Sequence, residues 1–149
     1  MTPGRRFEPI VVGVDGSDGA RRALLWVAAF AHVSGAHVVA VHVLTYSREF
    51  ARDLSLDTMR TWRHELATEL NGPWVEPLRQ ANVHYRTTLI EADSPAIGIV
   101  EVVEKESADL IVLGSNGHGG MASRVLAVKR RGGHHATAPV VVVPSTWSP

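Results

Sequence analysis

Residues 9–17 read Pro-Ile-Val-Val-Gly-Val-Asp-Gly-Ser, a short apolar run that ends in a turn-forming Asp-Gly-Ser sequence. A run of this length, bounded by turn residues, is typical of a buried strand. The next apolar residues recur with a helical period, namely Ala20, Ala23, Leu24, Val27, Ala28 and Ala31. The stretch therefore predicts a strand, a tight turn, and a helix that has Ser17 or Asp18 as its N-cap and ends at Gly35.

Four further apolar runs predict the remaining strands, at 36–44, 83–90, 109–113 and 139–143. They are rich in β-branched residues and mostly continuously apolar, as parallel strands covered on both faces are, although 83–90 alternates in part. With helices between them the order is βαβαβαβαβ. The pattern predicts an α/β fold, a doubly wound parallel sheet of five strands with helices on both faces.

Local signals place the helices between these strands. The segment 50–80 is predicted to be helical to about Asn71, where Gly72-Pro73 breaks the helix, with a short separate turn after it. The stretch 94–106 begins with Ser-Pro, which has the form of an N-cap followed by proline at the first helical position. Gly98 within it weakens that helix by about 1 kcal/mol relative to alanine. A last helix is predicted to begin near Met121.

Composition restricts the class of protein. The 149 residues fit one domain, 1–149, and a hydrophobic fraction of 45% argues against disorder. Fifteen basic and fifteen acidic residues cancel, which argues against nucleic-acid and membrane-surface partners. The absence of cysteine excludes disulfides, thiolate metal sites and a cysteine nucleophile. Neither a membrane span nor a signal peptide is evident, so a cytoplasmic location is expected.

Three segments lie where a ligand would be expected. Ligands of open parallel sheets bind beyond the carboxyl ends of the strands, and Asp15-Gly16-Ser17, Val43-Leu44-Thr45 and the glycine-rich stretch 114–120 all follow predicted strands. Glycines there permit positive φ and let backbone N–H groups approach an anion. An acidic side chain suits a ribose hydroxyl or an amine. The stretch 114–120 is neither a Walker A sequence nor a clean G-x-G-x-x-G, so by itself it does not identify a ligand.

Several of these segments resemble the universal stress protein family. The resemblance is carried by 12–17 (Val-Gly-Val-Asp-Gly-Ser), by His42-Val43, by 109–120 and by 138–143, and it extends over about 8–144. It implies a stress-response protein with strand order 3-2-1-4-5. Many members bind ATP or a related adenine nucleotide through a G-x2-G-x9-G-Ser/Thr pattern.

The resemblance also implies roles for individual residues. Gly114 and Gly117 would be the first two glycines of the pattern, Asp15 would contact the ribose or the adenine, and Val43 would offer backbone contacts to the adenine ring. The other residues assigned to the nucleotide site are Gly13, Leu113, His118, Gly119, Ala127 and Val128. Mg²⁺ is the candidate ion to accompany the phosphates.

The second half of the pattern departs from the family. Where its ATP binders have glycine and then Ser/Thr, this chain has Ala127 and Val128. A Cβ at 127 disfavours positive φ and crowds a phosphate oxygen. Valine at 128 removes a hydroxyl whose hydrogen bond to a charged group contributes about 1.5–3 kcal/mol, roughly 10- to 150-fold in affinity. Two hypotheses stay open: a protein that binds an adenine nucleotide, and a family member without ATP binding that serves as a dimeric interaction module.

Several of these residues also have a purely structural explanation. Asp15 could simply cap the first helix, the stretch 114–120 could be a tight turn without a ligand, and His42 is expected to be a hydrogen-bonded core histidine. The pair His134-His135 lacks a third ligand at helical spacing, so no metal site is assigned. No nucleophile elbow or paired-carboxylate site is present, and no dedicated enzymatic activity is expected, since even slow ATP hydrolysis would lack evident machinery.

A homodimer is the expected partner arrangement. In the order 3-2-1-4-5 the strand 139–143, which begins with Pro139 and continues with four valines, lies at the sheet edge. An unprotected apolar edge invites pairing, and family members commonly dimerise through this strand. The alternative is that Pro144 and the tail that follows it prevent strand pairing at this edge.

Overall fold

The computed structural model describes residues 8–46, 52, 54–115, 121–130 and 138–149. They form one parallel sheet in the order β3-β2-β1-β4-β5. The strands are β1 Ile10–Gly13, β2 Val38–Leu44, β3 Tyr85–Glu91, β4 Leu110–Gly114 and β5 Val140–Val143. The predicted fold class and strand order are confirmed. Each strand begins one or two residues later than predicted and ends within one residue of its predicted end.

The sequence signals at Ser17, Gly35, Asn71, Ser94 and Met121 mark helix boundaries in the structure, whereas the helix predicted within 50–80 begins only at Leu56. They are α1 Asp18–Ser34, α2 Leu56–Asn71, α3 Glu76–Gln80, α4 Pro95–Glu106 and α5 Met121–Arg130. Ser17 and Ser94 are the N-caps of α1 and α4, and each side-chain oxygen accepts a backbone N–H three residues on. Gly35 closes α1 at φ 73°, a left-handed conformation that glycine adopts readily. In the described ranges no helix is both long and apolar enough to cross a bilayer.

The segment after Gly72 is more regular than predicted. The helix breaks at Gly72-Pro73 as expected, but a 3₁₀ turn, Pro73–Val75, and the short helix α3 follow it. Pro77 does not prevent α3, because proline is tolerated in the first helical turn, where its missing N–H is not needed. Leu78 of α3 is fully buried, so core packing holds this short helix in place.

The core lies in two layers, one on each face of the sheet. Alternate residues of a strand point to opposite faces: Val12 packs with α1, α3 and the end of α2, whereas Val11 packs with α4 and α5. Both valines are fully buried. Helices therefore cover both faces of the central strands, as the continuously apolar runs predicted.

Candidate functional site

The carboxyl ends of β1, β2 and β4 border a cavity of about 140 Å³. Its lining consists of Gly13, Val14, Asp15, Ser17, Ala20, Val41, His42, Val43, Pro95, Ile99, Leu113, Gly114 and Met121. The chain crosses from β1 to β2 on one side, while β4 pairs with β1 on the other, so the strand order reverses here. A crevice at such a reversal is where doubly wound folds bind ligands.

The cavity brings together part of the predicted site. Gly13, Asp15, Val43, Leu113 and Gly114 all line it, although they come from three strands and the turn after β1. The predicted site residues Gly117, His118 and Gly119 lie outside the described residues, as does the pair His134-His135.

Ala127 and Val128 lie on α5, farther from the cavity than the rest of the predicted set. The cavity is reached by Met121, the first residue of that helix, and Ala127 follows six residues later, about 9 Å along the helix axis. Both positions are helical, so Ala127 does not adopt the positive φ that a Cβ disfavours. That its Cβ would crowd a phosphate oxygen stays a prediction. Val128 packs against the core layer beneath α4 and α5. The expectation that the missing hydroxyl at 128 weakens phosphate binding stays a prediction.

The turn after β1 is held by its own side chains. Asp15 Oδ1 accepts the Ser17 N–H at 2.9 Å, and Ser17 Oγ accepts the Ala20 N–H at 3.2 Å. The Asp15 side chain is therefore part of the turn and is not the cap of α1, which is Ser17, and it also lies exposed on the cavity rim. A carboxylate has acceptor sites for several hydrogen bonds, so the turn role leaves it able to accept from a ligand.

The backbone of Val43 faces the cavity side of β2. The Val41 carbonyl accepts the Val14 N–H at 2.8 Å, whereas the Leu44 carbonyl accepts the Ala92 N–H at 3.3 Å on the β3 side. Because backbone groups alternate along a strand with a period of two, Val43 directs its N–H and carbonyl to the same side as Val41. The last β2 residue paired with β1 is Val41. Val43 therefore presents a donor and an acceptor beyond the end of β1, an arrangement that suits the edge of a planar heterocycle.

Gly114 is required for a reason that its sequence context did not reveal. A Cβ on Gly114 would lie 2.1 Å from the carbonyl oxygen of Gly19 in the first turn of α1. The described glycines with positive φ are Gly16 and Gly35. Close backbone packing between β4 and α1, and not a left-handed conformation, thus accounts for glycine at 114.

Two aromatic rings that were not predicted to belong to the site, those of Trp74 and His42, lie beside the cavity. The Trp74 indole covers Gly16, where a Cβ would lie 2.7 Å from ring atoms, and Gly16 itself has φ 80°. His42, expected to be a core histidine, lines the cavity, and its Nδ1 lies 2.7 Å from the Val14 carbonyl oxygen. The two rings meet edge to face with centroids 5.1 Å apart. The sequence signal for Trp74 was an aromatic residue directly after a helix-breaking Gly-Pro pair.

A second set of contacts ties α2 to the neighbouring strand ends. Arg63 donates to the Glu91 carboxylate at 3.0 Å and to the Leu89 carbonyl at 3.2 Å. Tyr46, just after β2, packs edge to face on Trp62 at 5.7 Å. Burial, with a smaller contribution from Glu91, raises the pKa of the Tyr46 phenol.

The chemistry of the described lining suits the binding of a small organic ligand. Most of the described lining is apolar, and in the described part its polar side chains are Asp15, Ser17 and His42. Asp15 and His42 are already hydrogen-bonded to backbone groups of the turn after β1, and Ser17 accepts the Ala20 N–H in the first turn of α1. Apolar walls with a few oriented polar groups at the rim are typical of sites for small organic ligands.

The chain is similar to proteins of known family. The model of the universal stress protein family matches residues 6–144. A universal stress protein of Mycolicibacterium smegmatis is 33% identical over 138 residues, which cover 91% of this chain and 45% of that protein. The chain thus spans about half the length of this relative.

Solved structures share the fold. A universal stress protein in complex with cAMP has a TM-score of 0.68 at 22% identity, covering 94% of this chain and 98% of the other. The universal stress protein from Archaeoglobus fulgidus in complex with dAMP has a TM-score of 0.63 at 24% identity, covering 93% of this chain and 98% of the other.

Proposed function

Since this chain belongs to the universal stress protein family, we propose that the cavity beyond β1, β2 and β4 binds an adenine nucleotide. The observation that carries the proposal is the convergence of Asp15, the Val43 backbone and Gly114 on one crevice at the reversal of strand order. The bound cAMP and dAMP of the two similar structures support the same ligand class.

The lining suggests how the ligand lies. The base would pack on Val41, Ile99 and Leu113 and form hydrogen bonds with the backbone of Val43. A ribose hydroxyl would donate to the Asp15 carboxylate. The phosphate would extend towards Gly114 and the first turn of α5, the positive end of that helix dipole.

Among adenine nucleotides we propose a preference for monophosphates over ATP. Val128 offers no hydroxyl to a distal phosphate, and a charged hydrogen bond of about 1.5–3 kcal/mol corresponds to roughly 10- to 150-fold in affinity. The described cavity lining also holds no lysine or arginine. Mg²⁺ is proposed only as the companion of a polyphosphate, and no turnover is proposed.

Calorimetric titration with AMP tests the nucleotide proposal. Wild type is expected to bind AMP, and Asp15→Asn is expected to bind it about tenfold more weakly, because the ribose hydroxyl loses a charged acceptor. The asparagine oxygen can still accept the Ser17 N–H, so the turn is retained. Asp18→Asn, in the first turn of α1 and outside the described lining, is the control. Equal affinity of Asp15→Asn and wild type would remove Asp15 from the site. A wild type that binds neither AMP, cAMP nor ATP would refute the proposal.

We further propose that the protein forms a homodimer through β5. The strand is the last of the sheet order, and Val142 on it is 46% exposed. Two β5 strands paired across a twofold axis would form hydrogen bonds with the unpaired backbone groups of both edge strands and would cover this valine. If the protein forms this dimer but binds no nucleotide, the result would support the hypothesis of a dimeric interaction module.

Replacing Val142 with aspartate is expected to convert the dimer to a monomer, because like charges would face each other across the twofold axis. Light scattering after size-exclusion chromatography measures the mass. Val33→Asp is the matched control, since Val33 is 88% exposed on α1. Val141 is the poorer probe because it packs against the α1 core layer. A Val142→Asp protein with unchanged mass would contradict dimerisation through β5.

A further inference from the structure

The His42 ring is held in one tautomer by a backbone carbonyl. Its Nδ1 lies 2.7 Å from the Val14 carbonyl oxygen, and a carbonyl oxygen only accepts hydrogen bonds. Nδ1 must therefore carry a proton. In the neutral ring the lone pair is then on Nε2.

This hydrogen bond fixes the residue that precedes Asp15. The Val14 N–H donates to the Val41 carbonyl at 2.8 Å, and the Val14 carbonyl accepts from His42. Both backbone polar groups of Val14 are thus held by β2, and Val14 is only 3% exposed. A buried carbonyl that lost its donor would carry a desolvation cost, so the chain at Val14 would shift to recover a partner.

The turn beyond Val14 is held from its other end by Trp74. The indole lies against Gly16, and its ring also meets the His42 ring edge to face at 5.1 Å. Two elements distant in sequence, β2 and the 3₁₀ turn Pro73–Val75, thus converge on the turn that carries Asp15.

We propose that His42 is a positioning residue of the nucleotide site: its Nδ1–H, backed by Trp74, holds the turn after β1 in the conformation that presents Asp15 to the ligand. A turn that is already ordered does not lose conformational freedom when the ligand binds, so the site has a higher affinity for the nucleotide. The ligand part of this inference rests on the proposed nucleotide binding. The tautomer and the turn geometry do not depend on it.

The tautomer is tested without any ligand. Side-chain ¹⁵N NMR of His42 in the neutral ring is expected to show a protonated Nδ1 and an unprotonated Nε2. A ring protonated at Nε2, or one that averages between the two tautomers, would overturn the inference.

Two substitutions separate the hydrogen bond from the volume of the ring. The asparagine amide nitrogen of His42→Asn stands the same number of bonds from Cα as Nδ1 and can donate to Val14, whereas the longer His42→Gln places its amide one atom farther on. We expect His42→Gln to weaken AMP binding about tenfold and to shift the backbone amide resonances of Asp15, Gly16 and Ser17. His42→Asn should restore most of the affinity and leave those resonances close to wild type.

The outcomes distinguish the two proposals. If wild type binds AMP and both variants bind it as well as wild type, or both are equally impaired, the positioning role is wrong and nucleotide binding stands. If wild type binds no adenine nucleotide, the proposed function fails. In that case the positioning of the turn by His42 is tested by NMR alone. Unchanged backbone amide resonances of Asp15, Gly16 and Ser17 in His42→Gln would refute the positioning role. Melting curves confirm that both variants are folded.

Discussion

Gly114→Ala is expected to destabilise the protein by about 3 kcal/mol, the upper end of the usual cost of overpacking. The new Cβ would lie 2.1 Å from the carbonyl oxygen and 2.4 Å from the carbonyl carbon of Gly19. These are backbone atoms of the first turn of α1, so no side-chain rotation can relieve the contact. Relief would require α1 to move away from β4, which would open the core layer between them.

Urea unfolding measures this loss, and Gly13→Ala is the matched control. Gly13 also stands at the end of a central strand and lines the same cavity. A Cβ there would lie 3.2 Å from Ile99 Cδ1 and 3.3 Å from Leu113 Cδ2, the flexible ends of two side chains. Its expected cost is about 1 kcal/mol or less. If the two variants are destabilised equally, the close approach of β4 to Gly19 is not a constraint on the fold.

Gly98→Ala is expected to destabilise the protein by about 2 kcal/mol, although helix propensity alone favours alanine by about 1 kcal/mol. A Cβ on Gly98 would lie 2.6 Å from both γ-methyl carbons of Val43 and 3.2 Å from Ile90 Cδ1. Both branches of Val43 are blocked at once, so no single rotation about its χ1 clears the contact. The glycine lets α4 lie close on β2 at the cavity wall.

A double-mutant cycle in urea tests this explanation. Val43→Ala alone removes buried methyl groups and should also destabilise the protein. Combined with Gly98→Ala, however, it makes room for the new Cβ. The double variant should therefore lose less stability than the two single variants together, by about 1 kcal/mol or more. A Gly98→Ala protein that is more stable than wild type would show that propensity outweighs this contact.

The sequence predicted the fold well because the signals for it are local. The apolar runs, the serine caps at Ser17 and Ser94, and the breaks at Gly35 and Gly72 each act within a few residues of themselves. The continuous apolarity of the strands was enough to indicate a parallel sheet covered on both faces. The short helix α3 was missed because core packing of Leu78, and not local propensity, stabilises it.

The site was predicted in position but not in detail. Asp15 and the Val43 backbone were placed at the ends of their strands, and they do line one cavity. The reasons for glycine at 98 and 114 depend on Val43 and Gly19, which come from other elements of the fold. The hydrogen bond from His42 to Val14 joins residues 28 positions apart, and no spacing rule predicts such a pair.

The most direct test of the account is to map AMP onto the protein by titrating the ¹⁵N-labelled chain and following its backbone amide resonances. The largest shifts are predicted at Gly13, Asp15, Val43 and Gly114, which line the cavity from separate elements. No shifts at saturating AMP, or shifts confined to residues elsewhere in the sheet or on α2, would contradict the claim that this crevice is a nucleotide site.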